Sequence, residues 1–178
     1  MTYTSTTSNQ LVVSGPYTSI EARIETVANV YPGRLVKRGT TDDDIVVCTA
    51  AGLPAGWAGY DNASPAVKPA TIDTIYVVGD RIPVVSCVGS VIRATLATSQ
   101  TITLGDALVA GATGFVTAAT VIAATVGSGA ATASAVDATR PTVAVTGSMP
   151  VGGRIIGYAA QSVTTTGAIA SILVRSTI

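Results

Sequence analysis

The chain has 178 residues and a formal net charge of zero; 11% of its residues are charged and 48% hydrophobic. It contains no histidine, which excludes Ser-His-Asp and Cys-His nucleophilic catalysis and His-ligated zinc. With no basic excess, no clustered Lys/Arg face is available to track a phosphate backbone.

Aromatic residues make up only 4%, so the apolar mass is Val, Ala, Ile and Leu, with abundant Thr and Gly. That is the composition of a β-sandwich or barrel. A charge content well below the roughly 25% of an average soluble domain suits a surface covered by copies of the chain or by a partner. A small neutral secreted domain with a Thr/Ser surface is the competing reading. No apolar run approaches the roughly 20 residues that span a bilayer. The first ten residues carry neither a basic nor a hydrophobic signal region, so synthesis in a cytoplasm without a cleaved leader is expected.

Residues 1–16 are Thr/Ser/Asn-rich and end in Ser14-Gly15-Pro16. They read either as a disordered tail or as an arm that orders against a neighbour, with Tyr3, Leu11, Val12 and Val13 as its anchors. Residues 17–178 read as the β-rich body. Ser19–Thr26 alternates: Ile20, Ala22 and Ile24 point one way and Glu21, Arg23 and Glu25 the other, the period of a strand with one wet face. Ile20, Ile24 and Val27 also share a helical face, so a helix competes; Pro32-Gly33 ends either element. Arg34–Arg38 is a short strand, the stretch from Gly39 to Asp44 a turn, and Ile45–Thr49 the next strand.

Ala51–Pro69 is rich in Gly and Pro and holds the only Trp, Trp57, together with Tyr60. It reads as a long loop, and such loops usually have a job. Trp57 either plugs the core or anchors an interface; Leu53 and Tyr60 flank it as contact candidates. Ile75–Leu96 reads as the centre of the fold: strands joined by the turns Gly79-Asp80 and Gly89-Ser90 in a hairpin stack. Pro83, lacking an N–H, predicts an edge strand or a strand start. Thr101–Val109 repeats the hydrophobic-Gly-Asp grammar of Val78–Ile82, a thin hint of an internal repeat. Ala118–Val136 has weak periodicity and predicts exposed strand or loop. Strands resume at Thr142–Thr146, Gly153–Ala160 and Ala168–Arg175. The two cysteines, Cys48 and Cys87, give no disulfide framework and read as buried thiols.

Site chemistry is sparse. The acidic residues lie mainly in turns, where Asp serves local hydrogen bonding, and there is no P-loop and no dinucleotide fingerprint. Asp42-Asp43-Asp44 could offer oxygens to Ca²⁺ but lacks the ligand spacing and distant Glu of a calcium loop, so a solvated turn is the expectation. No enzyme activity, cofactor or metal is expected.

The order of segments resembles the capsid decoration (cement) proteins of tailed bacterial and archaeal viruses. The resemblance runs over residues 18–178, apart from the Ala/Thr-rich Ala118–Ala138 stretch. It is carried by I-E-A-R-I-E-T, then Tyr31-Pro32-Gly33-Arg34-Leu35-Val36, the G-T-T-D-D-D turn, V-G-D-R-I-P-V at Val78–Val84 and Gly89–Val91. L-G-D-A-L-V at Leu104–Val109, R-I-I-G-Y-A at Arg154–Ala159 and I-L-V-R at Ile172–Arg175 complete it. The resemblance implies a β-rich fold, homo-oligomers (often trimers) on the outer surface of a virion, contact with the major capsid protein, and no catalysis. The full expectation is therefore an all-β, sandwich or barrel-like single domain with an N-terminal arm, whose contact residues are Tyr3, Leu11, Val12, Val13, Leu53, Trp57 and Tyr60. The alternative is an adhesive or receptor-binding module of a tail fibre or surface layer.

Overall fold

The computed structural model describes residues 10–26, 30–50, 52–60, 75–119, 154–167 and 170–178. Thirteen strands carry the fold: β1 (Val12–Ser14), β2 (Thr18–Ile24), β3 (Leu35–Arg38), β4 (Asp44–Val47), β5 (Gly56–Ala58), β6 (Arg81–Ser86), β7 (Val91–Leu96), β8 (Thr101–Ile102), β9 (Ala107–Ala110), β10 (Val116–Ala118), β11 (Ile155–Ala159), β12 (Val163–Thr164) and β13 (Ala170–Ser176). Among the described residues the chain is all-β apart from one 3-10 turn at Ala112–Gly114.

The strands close into two small barrels. The first runs β2-β4-β3-β5-β6 and back to β2. In the second sheet, β1-β7-β10-β9-β11-β13, the pairing of β7 with β13 closes the last five strands into a ring. Taken in chain order, both rings have the same plan: first, third, second, fourth and fifth strand, with only the first–third pair parallel.

The registers agree residue by residue. Ala22 opposes Ile82 in one barrel and Ala94 opposes Ile172 in the other. Ala58↔Val84 is matched by Ala159↔Val174, and Val36↔Gly56 by Leu108↔Gly157. Gly33 N–H donates to Ala58 O at 2.8 Å, and Gly105 N–H to Ala159 O at 2.8 Å. Even the lone bridge Val30↔Tyr76 has its counterpart in Ile102↔Val163. The molecule is a tandem duplication of one five-stranded barrel.

The repeat is therefore real, but its alignment differs from the one the sequence suggests. The turn Thr103–Asp106 corresponds to Tyr31–Arg34, each leading into the second strand of its barrel, and not to Val77–Asp80. The central run is also not a hairpin stack. β6 belongs to the first barrel and β7 to the second, so the turn at Cys87–Ser90 is the crossing point between them. Pro83 is not on an edge: β6 lies between β2 and β5. Its carbonyl accepts from Gly59 N–H at 2.7 Å. Its nitrogen faces the same side, and Gly59 O, which a donor at this position would reach, accepts from Tyr76 Oη–H at 2.9 Å instead.

Two close approaches define the core. A Cβ on Gly56 would meet Val85 O at 2.7 Å and Val84 Cγ1 at 2.8 Å; on Gly157 it would meet Arg175 O and Val174 Cγ1, both at 2.5 Å. At the same place in each barrel, only glycine lets the fourth strand lie on the fifth. A single continuous core joins the barrels, running from Ile24, Leu35 and Ile82 through Trp57 to Ile92, Leu96 and Ile172.

Candidate interaction surface

Polar side chains that could carry chemistry are used to hold the structure. Asp44 is buried and accepts two bonds from Arg23, Nε–H at 2.8 Å and Nη2–H at 3.0 Å, and a third from Thr41 Oγ1 at 2.6 Å. The Arg23 bonds first, then that of Thr41, hold its carboxyl down at about 2. Asp42 lies in solvent near Arg38 at 3.6 Å. The Asp triplet is thus divided between a structural ion pair and a wet turn. Among the described residues no three His, Cys, Asp or Glu side chains gather into a metal-sized group. Cys48 and Cys87 are free and buried, and burial pushes both thiols up.

The seam between the barrels is built from the same economy. Arg34 is buried and stacks between Tyr31 of the first barrel and Phe115 of the second, 4.1 and 4.0 Å from the ring centroids. Its Nη1–H reaches Thr113 O at 3.4 Å. Trp57 Nε1–H donates to Ser176 Oγ at 3.2 Å, and Thr95 N–H to Gly33 O at 2.9 Å.

The side chains proposed as partner anchors have divided fates. Leu11 and Val12 are buried, and β1 pairs with β7, placing Val12 opposite Ile92. Residues 12–14 are thus a strand of the body and not part of an arm; two adjacent aliphatics gain more by covering Ile92 than by remaining in water. Trp57 and Tyr60 are buried in the chain's own core. Trp57 sits in β5, inside the stretch that the Gly/Pro content marks as loop. Val13 is half-buried and Leu53 exposed; Tyr3 lies outside the described residues, as does the strand expected at Thr142–Thr146.

Several of the exposed apolar residues that the sequence reading missed sit on turns. Four turns share one design: the fourth residue's N–H bonds the first residue's carbonyl, and glycine at the third position has φ between +79° and +91°. They are Tyr31–Arg34, Val77–Asp80, Cys87–Ser90 and Thr103–Asp106. In two of them the closing Asp also accepts from the first residue's N–H: Asp80 from Val77 at 2.9 Å and Asp106 from Thr103 at 2.7 Å. In three of the four the second position points outward and carries Val78, Val88 and Leu104, the last two 71% and 65% exposed; in the other it is the buried Pro32. An aliphatic residue directly before a turn glycine is the signal that finds them. Tyr17 just before β2, Ile20 on β2, and Ile155 and Tyr158 on β11 add to the exposed set.

No protein-family model and no curated protein matches the chain. Among solved structures it is similar to the N base of head fiber gp8.5 of bacteriophage phi29, at 16% identity over 92% of this chain and 98% of that one, with a TM-score of 0.46. At that identity and score the likeness bears no weight on fold or function.

Proposed function

We propose that the chain is a non-enzymatic structural protein of a tailed-virus head, a decoration protein that binds the assembled shell of the major capsid protein on its outer surface. Copies associate into a homo-oligomer; the sequence resemblance favours a trimer. The observation that carries the reading is the set of aliphatic side chains held out on rigid glycine turns, Val78, Val88 and Leu104, on a body whose ionic groups are few. Such side chains are costly to leave in water and sit on hydrogen-bonded turns, so little backbone ordering cost remains when they dock. Many copies on a shell multiply a weak contact into a strong one. Binding only the expanded lattice would stabilise that lattice by mass action. Leu53 and Val13, and Tyr3 at the N-terminus, are further contact residues in this reading.

The test is cosedimentation of the purified chain with expanded heads, with unexpanded shells, and with host envelope fragments. Binding to expanded heads that is lost in the Val88→Asp, Leu104→Asp double variant supports the proposal. Binding only to envelope, or to nothing, overturns it.

A further inference from the structure

The duplication lets one barrel show what the other is missing. In the second barrel the first strand, β7, is flanked on the side away from β13 by β1. Arg93 N–H donates to Leu11 O at 2.8 Å, and Val12 lies opposite Ile92, which is 0% exposed. The residues of the first barrel that correspond to Arg93 and Ile92 are Glu21 and Ile20, as the matched registers of β2 with β6 and β7 with β13 establish.

Along β2, Ile24 turns its N–H to Asp80 on the β6 side, and Arg23 turns its N–H to Asp43 on the β4 side. Backbone groups alternate along a strand, so those of Ser19 and Glu21 face the β4 side. β4 reaches only Arg23 and Ile24. Among the described residues nothing pairs with Ser19 or Glu21 on that edge, and Ile20 is 64% exposed. Among the described residues the same slot is filled in one barrel and open in the other.

We propose that the open edge of β2, residues Thr18–Ala22, is a strand-pairing site for β2 of a second copy, joined antiparallel across a two-fold axis centred on Ile20. The β1–β7 pair is the template. The partner's Ser19 and Ile20 take the places that Leu11 and Val12 hold on the second barrel, and the partner's Glu21 the place of Ser14, which lies opposite Val91 after a bulge at Val13. A branched aliphatic then lies opposite Ile20, as Val12 lies opposite Ile92. Ser19 and the partner's Glu21 exchange both backbone bonds, and Thr18 faces the partner's Ala22. The only charged residue in the paired stretch, Glu21, faces a serine, so no like charges stand directly opposite. Five residues is also the length left free before Asp44, which pairs with Arg23, blocks the edge. A two-fold contact produces even-numbered assemblies; with trimers it would act as the link between them. The inference does not depend on capsid binding.

The test uses the full chain. Native mass measurement is expected to show an even-numbered assembly that falls to a lower order in Ile20→Lys and in Ser19→Pro, with the β-sheet circular dichroism retained. Ile20→Cys provides a second readout that tolerates any loss of stability. Ile20 meets the partner's Ile20 at a pair without backbone bonds, where side chains are closest, so mild oxidation should cross-link that variant as pairs. Thr18→Cys, which faces the partner's Ala22, should not cross-link. Cys48 and Cys87 are buried and do not interfere. A monomer at all concentrations, a purely odd-numbered assembly, or equal cross-linking of the two cysteine variants would overturn the proposal.

Discussion

The two barrels share a plan but not a chemistry. The first carries the ion pair Arg23–Asp44 between its parallel strands; at the matching place in the second, Thr95 stands for Arg23, and its N–H bonds Gly33 O across the seam. Trp57 of the first is fully buried in the seam against Ser176, whereas the matching Tyr158 of the second is partly in solvent. Ile92 lies under β1, while its twin Ile20 is bare. A duplicated fold thus keeps the residues that set register, namely Ala22 and Ala94, Gly56 and Gly157, Ala58 and Ala159. It lets the rest diverge according to what each copy must touch.

Substitutions at matched positions sharpen this contrast. The largest difference is expected at the fourth strands: Trp57→Ala should cost about 3–5 kcal/mol, as for other buried aromatics, while Tyr158→Ala should cost about 1 kcal/mol or less. Denaturant melts of the two variants, compared at equal m-value, check it. The isoleucine pair should follow, with Ile92→Ala costing about 2–5 kcal/mol and Ile20→Ala within about 0.5 kcal/mol of the parent; equal losses would show that the edge of β2 is covered within the chain.

The glycine pair runs the other way and should break no symmetry. Gly56→Ala and Gly157→Ala should each cost about 1–3 kcal/mol by forcing the fourth strand off the fifth, the second at least as much because its contacts are shorter. A harmless substitution at either would break the match of the two barrels.

Acid should distinguish them last. Asp44 titrates near 2 when folded, below its ordinary value of 3.8. A depressed folded value contributes stability that is complete above the unfolded value and is lost as pH falls through the folded one. Amide protection in β2–β4, measured against the intrinsic exchange rate, should therefore fall between pH 4 and 2, with β9–β11 unaffected by this group, and Asp44→Asn should remove that pH dependence.

Much of the fold was legible in the chain. Alternation across β2 gave a strand, with Ala22 and Ile24 turned inward, and Gly79, Gly89 and Gly105 marked turns because each adopts positive φ. The duplication was not legible, because counterparts are not evenly spaced: Gly33 answers to Gly105, Gly56 to Gly157, and Val84 to Val174. Connections of unequal length break any fixed period. The contact surface was misjudged for a related reason. Hydrophobicity names residues that seek cover but not what covers them. Leu11 and Val12 found β7 and Trp57 found Ser176, while Val88 and Leu104, apolar residues in what read as ordinary turns and strands, were the ones left outside.

The indole of Trp57 has one further use. It is the only tryptophan, it belongs to one half of the molecule, and its nitrogen rests on a serine of the other. Its fluorescence is therefore a built-in gauge of the joint: a red shift that precedes any loss of β-sheet signal on heating would mean that the halves part while each is still folded.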